Sequence, residues 1–177
     1  MLRRHLCVLL DATATGPVQE WRQRWDPVMA AVVPAHLTVV YPEEVADEPL
    51  LLRRVESSLA TTTPFRLRLG AVVAEADGAG GVFVAVDDLD GGWAALRNAL
   101  LTAPMTPADV PPHVTLVHPR TSRRGAGCWA VLAGRRVDLE VAVREVCLTE
   151  TRYGQAGTAD VSLAVLRRFA LAGRRPR

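Results

Sequence analysis

A ten-residue segment occurs twice in this chain, 77 positions apart. Val33-Pro-Ala-His-Leu-Thr-Val-Val-Tyr-Pro42 lies on Val110-Pro-Pro-His-Val-Thr-Leu-Val-His-Pro119, with Val, Pro, His, Thr, Val and Pro identical in register. In a Val-rich chain a self-match of that quality arises by chance roughly once, so the residue types have to decide. Four His and thirteen Thr in 177 residues give an expectation of about 0.3 His-x-Thr triplets. Two are present, each with Pro at the same offsets before and behind. The repeat predicts a fold that places two copies of one strand.

In a strand, residues two apart point to the same face, about 6.6 Å apart along the chain. His36 therefore shares a face with Thr38, and His113 with Thr115, while Leu37, Val39, Val114 and Leu116 suit burial in a sheet. Packed with approximate two-fold symmetry, the two pairs would face one another across a groove. Two imidazoles with an unperturbed pKa near ~6.5 can divide acid and base roles there, and two hydroxyls can hold oxygens of an anion. A lone His-x-Thr is ordinarily a hydrogen-bonded core or rim pair, and Thr is a good strand former. The repetition in matched frames is what points to chemistry.

The flanking sequence supplies the rest of the layout. Residues 6–10 read as a short buried strand, and Val18, Trp21, Trp25, Val28 and Met29 recur at helical spacing with a break at Asp26-Pro27. A strand at 37–41, a helix at 49–59 and an alternating strand from Phe65 follow, then a turn at 77–81 into a strand at 82–86. The order then restarts: a helix from Trp93, a proline-rich connection over 104–112, a strand at 114–117 and a weak helix over about 122–132. A long strand running from Val137 to Leu148, a polar loop over 149–160 and a last strand at 161–171 complete it. This predicts one α+β domain over 1–177: a lobe with the first motif over about 1–75, a lobe with the second over about 80–150, a last strand over 160–171 and a basic tail at 173–177.

Composition narrows the function classes. At 49% hydrophobic and 23% charged with a net charge of +2, the chain is neither a disordered polyelectrolyte nor a heavily basic duplex-DNA binder. All 21 positive residues are Arg, side chains that fork onto phosphate or carboxylate oxygens. They are uneven, with 8 Arg against 12 acidic residues in 1–88 and 13 against 7 in 89–177. Cys7, Cys128 and Cys147 have no C-x-x-C pairing and read as buried apolar residues. The apolar run at 6–10 ends on Asp11 and no stretch approaches 18 apolar residues, so a cytoplasmic location without membrane contact is expected. No His-x-His or His-Glu-x-x-His accompanies the motifs, although Glu43 and Glu44 stand near the first; no metal and no cofactor are expected. There is no Gly-x-Ser-x-Gly elbow, and without Lys residues 78–81 make no phosphate loop.

Paired His-x-Thr motifs on apolar strands, roughly 80 residues apart in a chain just under 200 residues, resemble the 2H phosphoesterase superfamily. That superfamily includes the proteins called 2′-5′ RNA ligases and the RNA 2′,3′-cyclic phosphodiesterases. The resemblance implies a bilobal α+β fold with two antiparallel sheets facing a central cleft and helices outside. It implies that His36 and His113 are the catalytic acid and base, and Thr38 and Thr115 phosphate ligands. Tyr41-Pro42 and His118-Pro119-Arg120 are more similar to a less characterised bacterial branch than to the RNA ligase-like proteins proper. The implied function is metal-independent opening of 2′,3′-cyclic phosphates at RNA or nucleotide ends by a monomeric enzyme, with reversible 2′-5′ ligation open to the same groups. Opening to a 2′-phosphate would put His36 nearer the leaving 3′ oxygen, while the sequence leaves open which His is acid and which base. Arg120, Tyr41 and Tyr153 are candidate substrate contacts, each with a packing or loop role as its alternative. His118 alternates out of the shared face and is expected at the rim or behind the residues that touch substrate, and the four Trp in the core. Rival readings are the same chemistry on a cyclic oligonucleotide or an ADP-ribose cyclic phosphate, and a non-catalytic nucleotide- or RNA-binding module.

Overall fold

A computed structural model describes residues 2–11, 15–153 and 161–172. Eight strands form one antiparallel sheet: β1 (Leu2–Leu9), β2 (His36–Val40), β3 (Phe65–Glu75), β4 (Gly81–Asp88), β5 (His113–Val117), β6 (Arg136–Val143), β7 (Glu145–Tyr153) and β8 (Val161–Ala170). Their order across the sheet is β6-β3-β4-β5-β2-β1-β7-β8. The helices are α1 (Gly16–Trp25), α2 (Pro27–Val32), α3 (Glu48–Leu59), α4 (Gly92–Leu100) and α5 (Gly125–Leu132), with 3-10 turns at Pro42–Glu44 and Ala76–Gly78. No described helix is long and apolar enough to cross a membrane.

The two motif strands lie side by side at the centre of the sheet. They are joined through one register pair, Leu37 opposite Val114. The two expected sheets are thus four-stranded halves of a single hydrogen-bonded sheet. The halves also trade strands relative to the expected lobes. β3, placed by sequence with the first motif, pairs with β4 and β6 beside the second, and β7 and β8 return to flank β1 beside the first. Local hairpin closure explains the first exchange, since β3 reaches β4 through only the tight turn after Glu75.

The single long strand expected up to Leu148 breaks at Arg144. Before the break, β6 is a sheet edge whose residues alternate between exposed and half-buried; after it, β7 lies between β1 and β8 and buries Val146 to Thr151 without interruption. Alternation marks a strand covered on one face, and the end of alternation at Arg144-Glu145, followed by the consecutive apolar residues Val146, Cys147 and Leu148, was the boundary signal. Residues 149–153, expected in a loop, belong to β7. The remainder of that loop and the tail at 173–177 lie outside the described residues.

Local chemistry starts the helices where the sequence suggests. The Asp26 carboxylate accepts from Met29 N at 3.3 Å and Pro27 opens α2, which divides the long amphipathic segment in two. Asp47 caps α3 by accepting from Leu50 N at 2.8 Å, and Leu51, Val55 and Leu59 then face the core. Trp93, Leu96 and Leu100 do the same on α4. The turn after β3 packs directly on the start of α5: Gly78 has φ +93°, and a Cβ there would stand 2.4 Å from the Gly125 carbonyl oxygen. Only glycine satisfies both the positive φ and that approach. The three cysteines are buried and free. Trp93 is buried and Trp21, Trp25 and Trp129 pack partly exposed against the core.

Candidate active site

Leu37 opposite Val114 in an antiparallel pair sets His36 across from Thr115 and Thr38 across from His113. Leu37 and Val114 are 1% and 0% exposed, so alternation turns all four motif residues to the other face. They make a rectangle in which the two imidazoles occupy one diagonal, a relationship that places the residues roughly 7–8 Å apart, their Cβ atoms somewhat closer. The groove expected between facing pairs is therefore a cleft over adjacent strands of one sheet face, with a volume of about 260 Å³.

The same contact orients both rings. His36 Nδ1 lies 2.9 Å from the Pro34 carbonyl oxygen, and His113 Nδ1 lies 2.9 Å from the Pro111 carbonyl oxygen. A carbonyl only accepts, so each Nδ1 carries the hydrogen and each Nε2 is left for proton transfer. The repeated proline two residues before each histidine is thus part of the site. Phe83, across from Thr115 on β4, sets its ring edge-on to His113 with centroids 4.7 Å apart.

Tyr41, Arg120 and Tyr153 all line this cleft. His118, expected outside the shared face, lines it as well. The reason is local: β5 ends at Val117, and strand alternation no longer governs the next residue. All four histidines of the chain thus border one cleft. Sequence reasoning missed Arg3, His5, Thr149 and Thr151, which enter from β1 and β7. His5 pairs with Thr149 and Arg3 with Thr151 across a strand contact that spans more than 140 residues. The available signal was period-two spacing, Arg3-His5-Cys7 and Thr149-Thr151-Tyr153, each putting polar groups on one face.

Arg22 and Asp26, four residues apart at the end of α1, were also missed. Arg22 is 3% exposed and donates to the Val33 carbonyl at 2.6 Å, just ahead of the first motif. Asp26, 1% exposed, accepts from His118 N at 3.0 Å and from Thr121 Oγ1 at 2.7 Å, just behind the second. One helix end therefore ties down both motif strands. Between the motifs a buried ion pair does similar work. Arg97 Nη2 donates to Glu44 Oε1 at 2.6 Å, Arg97 Nη1 donates to the Val39 carbonyl at 2.7 Å, and Glu44 accepts from Tyr41 N and Ala108 N at 2.8 and 2.7 Å. The proline-rich connection leading to His113 is thereby held against the chain leaving His36.

Burial sets the electrostatics. It pushes His36 down to about 4, helped by repulsion from Arg22, His113 and His118 and opposed by the Pro34 contact. His5 is likewise pushed down to about 4, by burial first and by His36 and Arg3 next. His118 is lowered by burial and by Arg120. Burial raises the Tyr41 phenol to about 12 and that of Tyr153 above its ordinary value. Arg22 falls to about 10 through burial, which leaves it cationic at neutral pH. Among the described residues no group of three or more His, Cys, Asp or Glu is placed to hold a metal ion.

The fold is shared with known proteins. The chain aligns along 96% of its length with E. coli LigT complexed with 3′-AMP, covering 97% of that chain at 20% identity and a TM-score of 0.69. It aligns along 98% of its length with TT0787 of Thermus thermophilus, covering 100% of that chain at 19% identity and a TM-score of 0.69. No curated protein matches the sequence. The family model of the 2′-5′ RNA ligase superfamily matches residues 10–155, which contain both His-x-Thr motifs. The chain belongs to the 2′-5′ RNA ligase superfamily, the 2H phosphoesterases.

Proposed function

We propose that this chain is a metal-independent phosphodiesterase that opens 2′,3′-cyclic phosphates at RNA or nucleotide ends. The observation that carries the reading is the matched pair of imidazoles, each held at Nδ1 by the carbonyl two residues back, with both Nε2 atoms and two threonine hydroxyls on one cleft face. Family membership supports phosphoester chemistry. The nucleotide ligands of LigT, crystallised with 3′-AMP, NADP+ and ATP, support a nucleotide substrate.

The reaction needs one imidazole neutral and one protonated. Burial holds His36 below its ordinary range, which favours its neutral form at pH 7, and we assign it the base role. Its Nε2 removes a proton from water as the water oxygen bonds to phosphorus. The bond from phosphorus to the 3′ oxygen breaks, and His113 Nε2–H delivers a proton to that oxygen, leaving a 2′-phosphate. This places the leaving 3′ oxygen beside His113 rather than beside His36, the reverse of what the resemblance implies. Thr38 and Thr115 donate to the non-bridging oxygens as charge builds on them. A 5′ hydroxyl in place of water yields a 2′-5′ linkage with no further group.

The test is turnover of 2′,3′-cyclic nucleotides, a cyclic-phosphate-ended RNA, a cyclic dinucleotide and an ADP-ribose cyclic phosphate, each with EDTA present and with His36→Ala and His113→Ala as controls. Turnover in EDTA that both substitutions abolish supports the reading. Turnover that persists in both variants, or that EDTA removes, overturns it.

A further inference from the structure

The cleft is chemically mixed. β3 and β4 contribute Glu75 and Phe83, β1 and β7 contribute Arg3, Thr151 and Tyr153, and Arg120 enters on the segment that follows β5. A carboxylate and an apolar ring disfavour an anion, whereas two guanidiniums and hydroxyl donors favour one. Resting on the cyclic-phosphate reading, we propose that Arg3 and Arg120 form a second anion subsite for the phosphate 5′ to the reacting nucleoside, so that the substrate carries at least two phosphates.

Strand register separates this subsite from the reacting phosphate. Cys7 pairs with Thr38, and Arg3 lies four residues further along β1, an advance of about 13 Å. Arg3 thus starts well away from the His-x-Thr rectangle, on the same face. Arg120 and Arg3 line the same cleft, together with His118 and Tyr153. The nearby carboxylates are already engaged. Asp26 accepts from Met29 N, His118 N and Thr121 Oγ1, and Glu43 is paired with Arg3. An Arg3 guanidinium bonded to one carboxylate keeps further donors for a phosphate. Among the described residues, no carboxylate lies within salt-bridge distance of Arg120. Arg120 thus brings to the cleft a guanidinium that no described carboxylate pairs with.

Binding of adenosine 2′-monophosphate and adenosine 2′,5′-bisphosphate to the unmodified protein tests the subsite without requiring turnover. The bisphosphate is expected to bind at least tenfold more tightly, and Arg3→Ala and Arg120→Ala are each expected to reduce that ratio several-fold. In kinetics, a 5′-phosphate on adenosine 2′,3′-cyclic phosphate is expected to raise kcat/KM by a similar factor, mainly through KM. Ligands that bind within twofold of one another, or a preference that survives both substitutions, overturn the proposal. A bisphosphate preference without turnover of either cyclic substrate upholds the subsite and overturns the cyclic phosphodiesterase reading instead.

Discussion

His36 Nδ1 stands 2.9 Å from the carbonyl oxygen of Pro34, and this contact fixes which nitrogen of the ring can do chemistry. The identical distance at His113 and Pro111 makes the tautomer a property of the repeated motif. It removes the need for a carboxylate partner to orient either imidazole, the role an acidic residue fills in triads of the Ser-His-Asp type.

His36→Ala and His113→Ala are each expected to lower kcat by on the order of 10² to 10⁴ with little change in KM, the usual size of one proton transfer. A nucleoside phosphodiester with a nitrophenolate leaving group needs no acid. Restored activity toward it in His113→Ala but not in His36→Ala is the expected pattern, and the opposite pattern reverses the two roles.

Acid should affect rate and stability through the same groups. A His36 that must be neutral predicts that kcat/KM falls on the acid side with an apparent pKa well below the ordinary ~6.5, a value belonging to the coupled pair. His5 and His36 are both lowered to about 4 in the folded chain. Unfolded, they take up protons near ~6.5, so stability gained by keeping them neutral is fully present above that pH and is lost as pH falls toward about 4. The thermal midpoint should rise from pH 4 to 6.5 and then level off. A flat profile across that window counts against buried neutral histidines.

Thr38→Val and Thr115→Val keep the shape of the side chain and remove its donor. Each should cost on the order of 10² in kcat, the scale found for one lost oxyanion donor. Circular dichroism and single-turnover rates separate that loss from misfolding, to which Thr38, 8% exposed, is the more sensitive.

Breaking the Glu44–Arg97 pair should be costly out of proportion to its size. Both side chains are buried, at 1% and 8% exposure, and removing one partner strands the other charge, a change worth about 3–5 kcal/mol. Arg97→Met should therefore lower urea stability markedly. Glu44→Gln strands the Arg97 charge in turn and turns an amide NH2 toward backbone and guanidinium donors, and should lower it comparably. A marked loss in only one of the two variants would count against a mutually dependent buried pair.

The identity of the central strands was legible because it depends on short-range information. Two His-x-Thr triplets at strand spacing, with prolines in matched frames, specify faces and ring partners within ten residues. The helix break at Asp26-Pro27 was legible for the same reason, capping and proline chemistry being local. The join between the halves and the return of β7 and β8 to β1 were not, because those pairings cost loop-closure entropy that no local pattern encodes. Cleft residues split along that line. Tyr41 and Arg120 follow the motifs directly in sequence, whereas Arg3, His5 and Thr149 reach the cleft only through the β1–β7 contact. Arg22 and Asp26 look like the polar face of an amphipathic helix until the helix end is seen packed against both motif strands.

The sequence by itself determined the duplicated motif, the strand faces on which its His and Thr residues lie, and so the class of chemistry. Only the tertiary structure decided that the copies are neighbours in one sheet, that all four histidines share a cleft, and that Arg3 and Arg120 line it with them. Strand alternation is set by backbone geometry and can be read two residues at a time. Which strands meet is set by burial summed over the whole core, and that sum exists only once the chain has folded.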